Sequence, residues 1–162
     1  MNSKKYFITG IIIALLLKLF AFDIVKVSGN SMEDTIKDGQ IIFINKLAYG
    51  LVNPFNAKLL IQWKRCKEND IVVYFYNGNK VVKRIKATGK TPLFFSDVYG
   101  YNMIVNNESI SLTYEQYIRL CSLKSVPENR LLTLGDNLMH SVDSREYGFV
   151  SEKNIIGKVI CR

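Results

Sequence analysis

Ser31 is the residue of this 162-residue chain whose surroundings best suit a nucleophile. It lies in the stretch SGNSMEDTIKDGQ, followed by Met32, and Gly29 two positions earlier frees the backbone to turn sharply. Such a turn would present the serine hydroxyl at the end of a strand. A serine hydroxyl is a weak nucleophile, so covalent chemistry at Ser31 requires a base from elsewhere in the chain.

The single histidine, His140, is the first candidate base. Asp136 and Asp143 are close to it in sequence, but nothing near it has the pattern of an orienting carboxylate pair. A Ser-His arrangement is therefore disfavoured.

Lys83 is the second candidate base. It lies in KVVKRIK, and in a strand it shares a face with Val81 and Ile85, because alternate residues point to opposite sides. Apolar neighbours would exclude water from the amine and lower its pKa from about 10.4, by about 3 units or more when burial is complete. A neutral Lys83 could take the proton of Ser31. The alternative is a solvated lysine at a sheet edge.

A third segment, GDNLMHSVDSREYG at residues 135–148, is dense in short hydrogen-bonding side chains. Asp143 and Arg145 are two residues apart, a spacing that suits an ion pair across a tight turn. The segment fits either a polar surface loop or a loop that supports a catalytic site from behind.

Short apolar runs between turn residues predict strands. Asn77-Gly78-Asn79 separates two β-branched runs and indicates a hairpin. The predicted strands are 23–27, 40–45, 70–76, 80–86, 102–105, 109–112, 131–134 and 154–161, with one short helix at 113–120. These patterns predict a compact, mostly antiparallel β domain.

The longest apolar run, YFITGIIIALLLKLFAF at residues 6–22, predicts a single transmembrane helix near the lower length limit. Lys4 and Lys5 precede the run and Asp23 follows it, so the positive-inside rule predicts a cytoplasmic N-terminus. A cleavable signal peptide is the alternative, but the triplet at 19–21 has a bulky residue where a small one is required.

The predicted membrane helix divides the chain into three parts: a cytoplasmic tail at 1–5, the anchor at 6–22, and an extracytoplasmic catalytic β domain at 23–162. The expected location is the cell (inner) membrane, single-pass, with the catalytic domain on the periplasmic or extracellular side. Residues 91–130 form a variable insert within that domain.

Composition narrows the functional classes. The net charge of +8 comes from scattered basic residues without aromatic platforms between them, which disfavours nucleic-acid binding. The three cysteines match no metal-binding spacing, and neither a metal nor a cofactor is expected. In an exported domain one disulfide is possible, and Cys66–Cys121 is the pairing we expect.

Together the segments resemble type I signal peptidases (leader peptidases, family S26), membrane-bound serine proteases that remove signal peptides from exported proteins. The family's nucleophile motif is similar to V-x-G-x-S-M-x-P-T-L, and residues 27–36 read VSGNSMEDTI. Its lysine motif resembles V-K-R-V-I-G-x-P-G, and residues 82–90 read VKRIKATGK. Its third motif resembles G-D-N-x-x-x-S-x-D-S-R-x-x-G, which residues 135–148 match at every fixed position.

The resemblance implies a signal-peptidase-like β-sheet domain in which Ser31 is the acylating nucleophile and Lys83 the general base. It implies supporting roles for six residues: Ser141 holding the lysine amine, Asp136, Asp143 and Arg145 in a bracing charge network, and Met32 and Val82 bounding the substrate pocket. It also implies two partners, the lipid bilayer and preprotein signal peptides with Ala-x-Ala-like ends, the latter bound as extended strands.

One departure affects specificity. Asp34 stands where the family motif has proline, which suggests narrower substrate choice, as in relatives that mature pilins for conjugation. Two other classes stay open: a self-cleaving repressor-like protease with a Ser/Lys dyad, and a membrane-tethered binding protein with a degenerate site.

Overall fold

The chain folds into a seven-stranded antiparallel β-sheet with two smaller sheets beside it, and the computed structural model describes residues 2–161. Its helices and strands, in chain order, are α1 (Asn2–Phe20), β1 (Phe22–Lys26), β2 (Ile41–Asn45), β3 (Gly50–Val52), β4 (Leu59–Gln62), β5 (Ile71–Tyr76), β6 (Asn79–Thr88), β7 (Phe94–Ser96), β8 (Asn102–Val105), β9 (Glu108–Ser111), α2 (Tyr114–Leu120), β10 (Arg130–Leu134), α3 (Ser144–Tyr147), β11 (Val150–Ser151) and β12 (Ile155–Cys161).

The main sheet has the strand order β1-β2-β12-β5-β6-β10-β11, which confirms the predicted mostly antiparallel β fold. Its central hairpin, β5–β6, turns at Asn77 and Gly78, whose φ values of 48° and 78° are the left-handed conformations that a two-residue hairpin turn requires. Tyr76 pairs with Asn79, so the two strands are in register from the turn onward.

The first four residues of β5, 71–74, are buried, on both faces of the strand. Val73 packs in an apolar cluster with Met32 and Ile42, while Val72 and Tyr74 pack in a second cluster with other side chains on the opposite face. Because β6 pairs with β5 over residues 79–84, it carries its central residues between these two clusters. This placement buries the middle of β6 away from solvent.

Residues 91–130, the predicted insert, form the small sheet β7–β8–β9 and the helix α2. Thr113 caps α2 in a reciprocal capping box with Gln116, which explains why the helix begins at Tyr114. Met103 and Ile110 of the small sheet pack against Leu134 of β10. The insert therefore covers the outer side of the main sheet at β6 and β10.

The predicted anchor at residues 6–22 forms most of α1, but the structure does not bear out its spanning part. In the part of the chain that the structure describes, no helix is both long and apolar enough to cross a bilayer.

The predicted Cys66–Cys121 disulfide is wrong, because both thiols are free. Cys66 is buried beside Tyr49 and Tyr74, whereas Cys121 is exposed at the end of α2. Burial raises the pKa of the Cys66 thiol to about 12, so this cysteine is an unreactive core residue.

Candidate active site

The turn that carries Ser31 is closed at its base by backbone hydrogen bonds. Val27 N–H donates to the carbonyl of Gln40 at 2.8 Å, and Gly39 N–H donates to the carbonyl of Val27 at 2.9 Å. Gly29 has φ 101°, a conformation that favours glycine, and its N–H donates to the Asp38 carboxylate at 2.8 Å. The loop is therefore held at both ends.

Ser31 is half-buried at the start of a helical turn within this loop. The Met32 carbonyl accepts hydrogen bonds from Thr35 N–H at 2.8 Å and Ile36 N–H at 2.6 Å. The side chains of Met32 and Ile36 are both buried in the apolar cluster under the loop. This packing fixes the backbone on the C-terminal side of Ser31.

Lys83 is buried in β6, with only 3% of its surface exposed. It lies opposite Val72, and its neighbours at two-residue spacing, Val81 and Ile85, belong to the same apolar cluster as Tyr74. Burial lowers the pKa of Lys83 below its ordinary value, and the nearby Asp143 carboxylate opposes only part of that effect. The lowered pKa increases the fraction of neutral amine at a given pH.

Ser31 and Lys83 line the same cleft, which has a volume of about 280 Å³. The other walls are mainly small and apolar, formed by Val25, Val27, Met32, Val73, Val81 and Val82 together with Lys26, Ser28 and Lys80. No hydrogen bond joins the Ser31 hydroxyl to the Lys83 amine within residues 2–161. Catalytic hydrogen bonds are often formed only once substrate is bound.

Ser141 Oγ is the one buried side-chain nitrogen or oxygen that lacks a hydrogen-bond partner in residues 2–161. A Cβ on Gly135 would meet this atom at 2.2 Å and the carbonyl oxygen of Ser31 at 2.4 Å. Asn137 N–H also donates to the Ser31 carbonyl, at 3.1 Å. Glycine at 135 thus lets the third motif approach the nucleophile loop closely.

Asp143 and Arg145 form the ion pair that their spacing suggests. Arg145 Nε lies 2.9 Å from Asp143 Oδ1 and its Nη2 lies 3.0 Å from Oδ2, and both residues are buried. The Asp143 carboxylate also accepts from Gly135 N–H, and Arg145 also donates to the carbonyls of Leu138 and Ser141. This pair fixes the loop that carries Ser141.

Asp136 belongs to a separate ion pair rather than to the network expected from sequence. Arg84 donates to both carboxylate oxygens of Asp136 at 2.8 Å, and the Thr35 hydroxyl donates at 2.5 Å. Burial alone would raise the pKa of Asp136, but the hydrogen bonds from Arg84 and Thr35 outweigh it, so the pKa is lowered. Asp136 thus ties β6 to the nucleophile loop.

A buried chain of hydroxyl groups was not predicted from the sequence. Tyr74 Oη lies 2.8 Å from Thr133 Oγ1 and 2.6 Å from Tyr147 Oη, and Thr133 Oγ1 lies 3.0 Å from Ser144 Oγ. These hydrogen bonds join β5, β10 and α3. Sequence patterns do not predict this hydroxyl chain, because each of its residues is of a type common in strands and loops.

His140 does not contribute to the cleft. Its ring is exposed, and Nδ1 lies 3.3 Å from the side-chain oxygen of Asn137. Within residues 2–161 no group of three or more His, Cys, Asp or Glu side chains is arranged to hold a metal ion.

The sequence model of the family described as signal peptidase, peptidase S26, matches residues 1–162, the whole chain. The chain belongs to this family. The signal peptidase I V of Bacillus subtilis (strain 168) is 26% identical, over 98% of this chain and 98% of the relative. The signal peptidase I of Bacillus caldolyticus is 29% identical, over 95% of this chain and 85% of the relative.

Among solved structures, a signal peptidase I from Enterococcus faecalis V583 aligns with 60% of this chain and 98% of that chain, at 24% identity and a TM-score of 0.44. Membership of the S26 family makes the protein a serine peptidase, a hydrolase.

Proposed function

We propose that this S26 peptidase removes N-terminal signal peptides from exported preproteins, with Ser31 as nucleophile and Lys83 as general base. The observation that carries the proposal is one cleft lined by both residues, in which burial lowers the pKa of the lysine. The relatives of similar length carry the name signal peptidase I, which supports the choice of substrate.

The proposed chemistry uses the neutral form of the Lys83 amine and the hydroxyl of Ser31, which line one cleft. Lys83 takes the proton of Ser31 as Oγ attacks the carbonyl of the scissile bond. The resulting lysine ammonium protonates the departing amine, which becomes the new N-terminus of the mature protein. Lys83 then accepts a proton from the water that hydrolyses the acyl-enzyme and returns it to Ser31 Oγ as the acyl bond breaks.

The negative charge that develops on the carbonyl oxygen needs a donor. We assign this role to the backbone N–H of Ser31, held in place by the loop's hydrogen bonds and by the buried Met32. A lost oxyanion donor typically costs about 3–4 kcal/mol of transition-state stabilisation.

Three groups position the base without taking part in proton transfer. Ser141 has a buried hydroxyl that finds no partner among residues 2–161, and we assign it to the Lys83 amine in the complex with substrate. The Asp143–Arg145 pair holds the loop of Ser141. Asp136 holds the start of the same loop against β6 and the nucleophile loop.

Two free strand edges support binding of an extended substrate. β1 is an edge strand of the main sheet, and the first half of β6 pairs only with β5, because β10 pairs with β6 from Arg84 onward. Residues 25–27 and 80–83 from these edges line the cleft. A peptide strand between them would form backbone hydrogen bonds with both.

The cleft walls support selection of small side chains before the cleaved bond. Val25, Val73 and Val82 narrow the space, and Met32 closes it below. Alanine at the first and third positions before the bond, the Ala-x-Ala pattern, fits such walls because alternate residues of a strand face the same side.

The lipid bilayer is the second proposed partner. Apolar side chains along α1 are exposed, from 41% at Leu19 to 74% at Tyr6, and exposed Phe22 and Ile24 of β1 extend this surface to the sheet. Such a surface favours association with lipid. The orientation, with a cytoplasmic N-terminus, stays a prediction from the flanking charges.

The test is whether the detergent-solubilised protein cleaves a purified preprotein whose signal peptide ends in Ala-x-Ala. Ser31→Ala and Lys83→Ala should each lower the cleavage rate at least about 1,000-fold. Ser122→Ala, an exposed serine in the loop after α2, is the matched control and should retain the wild-type rate.

Other outcomes distinguish the remaining classes. A folded wild type that cleaves no member of a preprotein panel would overturn the proposal in favour of a binding protein. Cleavage of its own chain only would favour the self-cleaving class. Cleavage of a single preprotein in the panel would favour a specialised, pilin-type processing role.

A further inference from the structure

A second cleft, of about 360 Å³, borders the nucleophile loop. Unlike the apolar cleft that contains Lys83, it is lined largely by charged and polar residues: Asp34, Thr35, Arg84, Lys86, Glu108 and Asp136 are among them. Glu108 belongs to β9, so the insert at 91–130 supplies one wall.

The two clefts border the same loop, the one that carries Ser31. The apolar cleft is lined by Ser31 and Met32, and the charged cleft by Asp34 and Thr35 of the same loop. Gly135 also lines the charged cleft, and it lies against the carbonyl oxygen of Ser31. An extended peptide advances about 3.3 Å per residue, so a chain that crosses Ser31 reaches the charged cleft within a few residues.

Charge pairing within the second cleft leaves one carboxylate unmatched. Arg84 is paired with Asp136 at 2.8 Å, and Lys86 is paired with Glu108 at 2.7 Å. The exposed side chain of Asp34 makes no hydrogen bond or ion pair to any residue between 2 and 161. The cleft therefore presents one free negative charge three residues after the nucleophile.

We propose that the charged cleft binds the residues that follow the cleaved bond, and that Asp34 selects a basic side chain among them. The inference rests on the proposed function, since it assigns the mature side of the same preprotein. A lysine or arginine there would pair with Asp34, whereas an acidic side chain would meet a second like charge.

The experiment compares peptides that share one Ala-x-Ala end and differ at a single position after the cleaved bond. Lys, Gln or Glu is placed at the first, second, third or fourth position, and kcat/KM is measured at low and at high salt. At the responsive position the wild type should cleave the Lys peptide about two- to tenfold faster than the Glu peptide at low salt. High salt should reduce that ratio, because exposed charges are screened.

Variants at Asp34 sharpen the test. Asp34→Asn should bring the Lys-to-Glu ratio close to one, and Asp34→Lys should reverse it. Asp97→Asn, which removes an exposed carboxylate outside both clefts, is the matched control and should keep the wild-type ratio.

Failure of the inference and failure of the proposed function give different results. Cleavage of the Gln peptides without a charge preference at any position, or with a ratio that Asp34→Asn leaves unchanged, overturns the role of Asp34 alone. Absence of Ser31-dependent cleavage of the Gln peptides overturns the proposed function, and the inference with it.

Discussion

Lys83 is a residue whose burial favours function at the expense of stability. Lys83 is only 3% exposed, so its amine keeps little of its hydration, and it makes no hydrogen bond within the described residues. Burial lowers its pKa for that reason, which increases the fraction of neutral, basic amine at a given pH. Such a group lowers the free energy of unfolding, and a variant that lacks it should be more stable but inactive.

Replacing Lys83 with methionine should abolish peptide cleavage and stabilise the fold. We expect the free energy of unfolding to rise by about 0.5–2 kcal/mol at neutral pH, measured by urea denaturation. The folded-state pKa is below the unfolded value, so protonated lysine is favoured in the unfolded chain. The wild type should therefore gain stability relative to Lys83→Met as pH rises from the folded pKa toward about 10.4. A less stable Lys83→Met would contradict this account.

The same lowered pKa predicts the pH dependence of cleavage. Only the neutral amine accepts a proton, so kcat/KM should rise with pH through the pKa of Lys83 and level off above it. The midpoint should lie below the ordinary lysine value of about 10.4. A pH-rate series with an uncharged Ala-x-Ala peptide measures it, and a midpoint at or above the ordinary value would refute a desolvated base.

The elements around the site differ in how well the sequence predicts them. The Asn77-Gly78 pair predicts the β5–β6 hairpin, because a two-residue turn with positive φ requires such residues. The strands β3 and β4 were missed, since Leu59–Gln62 is three-quarters apolar without alternation and exposes three of its residues. Residue type and sequence context predict Ser31 and Lys83 as candidate catalytic residues, but they do not predict which residue pairs with Asp136. Arg84 pairs with it only because alternation in β6 turns it away from Lys83.

The buried hydroxyl chain should set the stability of the site's supporting elements. Tyr74→Phe removes the hydroxyl that joins Thr133 to Tyr147, so the half-buried Tyr147 hydroxyl loses this partner and Thr133 keeps only Ser144. We expect a loss of about 1–3 kcal/mol in the free energy of unfolding, measured by urea denaturation. Tyr99→Phe, at a side chain 95% exposed, is the matched control and should change stability little. Equal free energies of unfolding for the two variants would show that the buried hydroxyl chain does not stabilise the fold.

At the scale of the whole molecule, α1 is separate from the catalytic sheet in its packing. Its long apolar side chains are exposed, and its attachment depends on the chain connection at Ala21 and on Lys46, which donates to the carbonyls of Lys18 and Leu19. The two clefts, by contrast, lie within the region built from β1, β6, the nucleophile loop and the third motif. Binding to lipid and peptide cleavage should therefore be separable.

Removal of residues 2–20 should abolish binding to lipid while leaving cleavage of a soluble peptide within about threefold of the full chain. Flotation with vesicles that contain anionic lipid measures binding, and a peptide assay measures activity. A truncated protein that still floats with the vesicles would place the lipid-binding surface in the β domain instead.

The central claim is a covalent acyl-enzyme at Ser31 that depends on Lys83. The most direct measurement uses an ester of an Ala-x-Ala peptide, because an ester acylates the enzyme faster than the acyl-enzyme is hydrolysed. The reaction is quenched with acid, and protease digests of the protein are analysed by mass spectrometry. We predict a peptidyl mass on the fragment that contains Ser31, absent in Ser31→Ala and strongly reduced in Lys83→Met. Acylation of another residue, or undiminished acylation in either variant, would contradict the account.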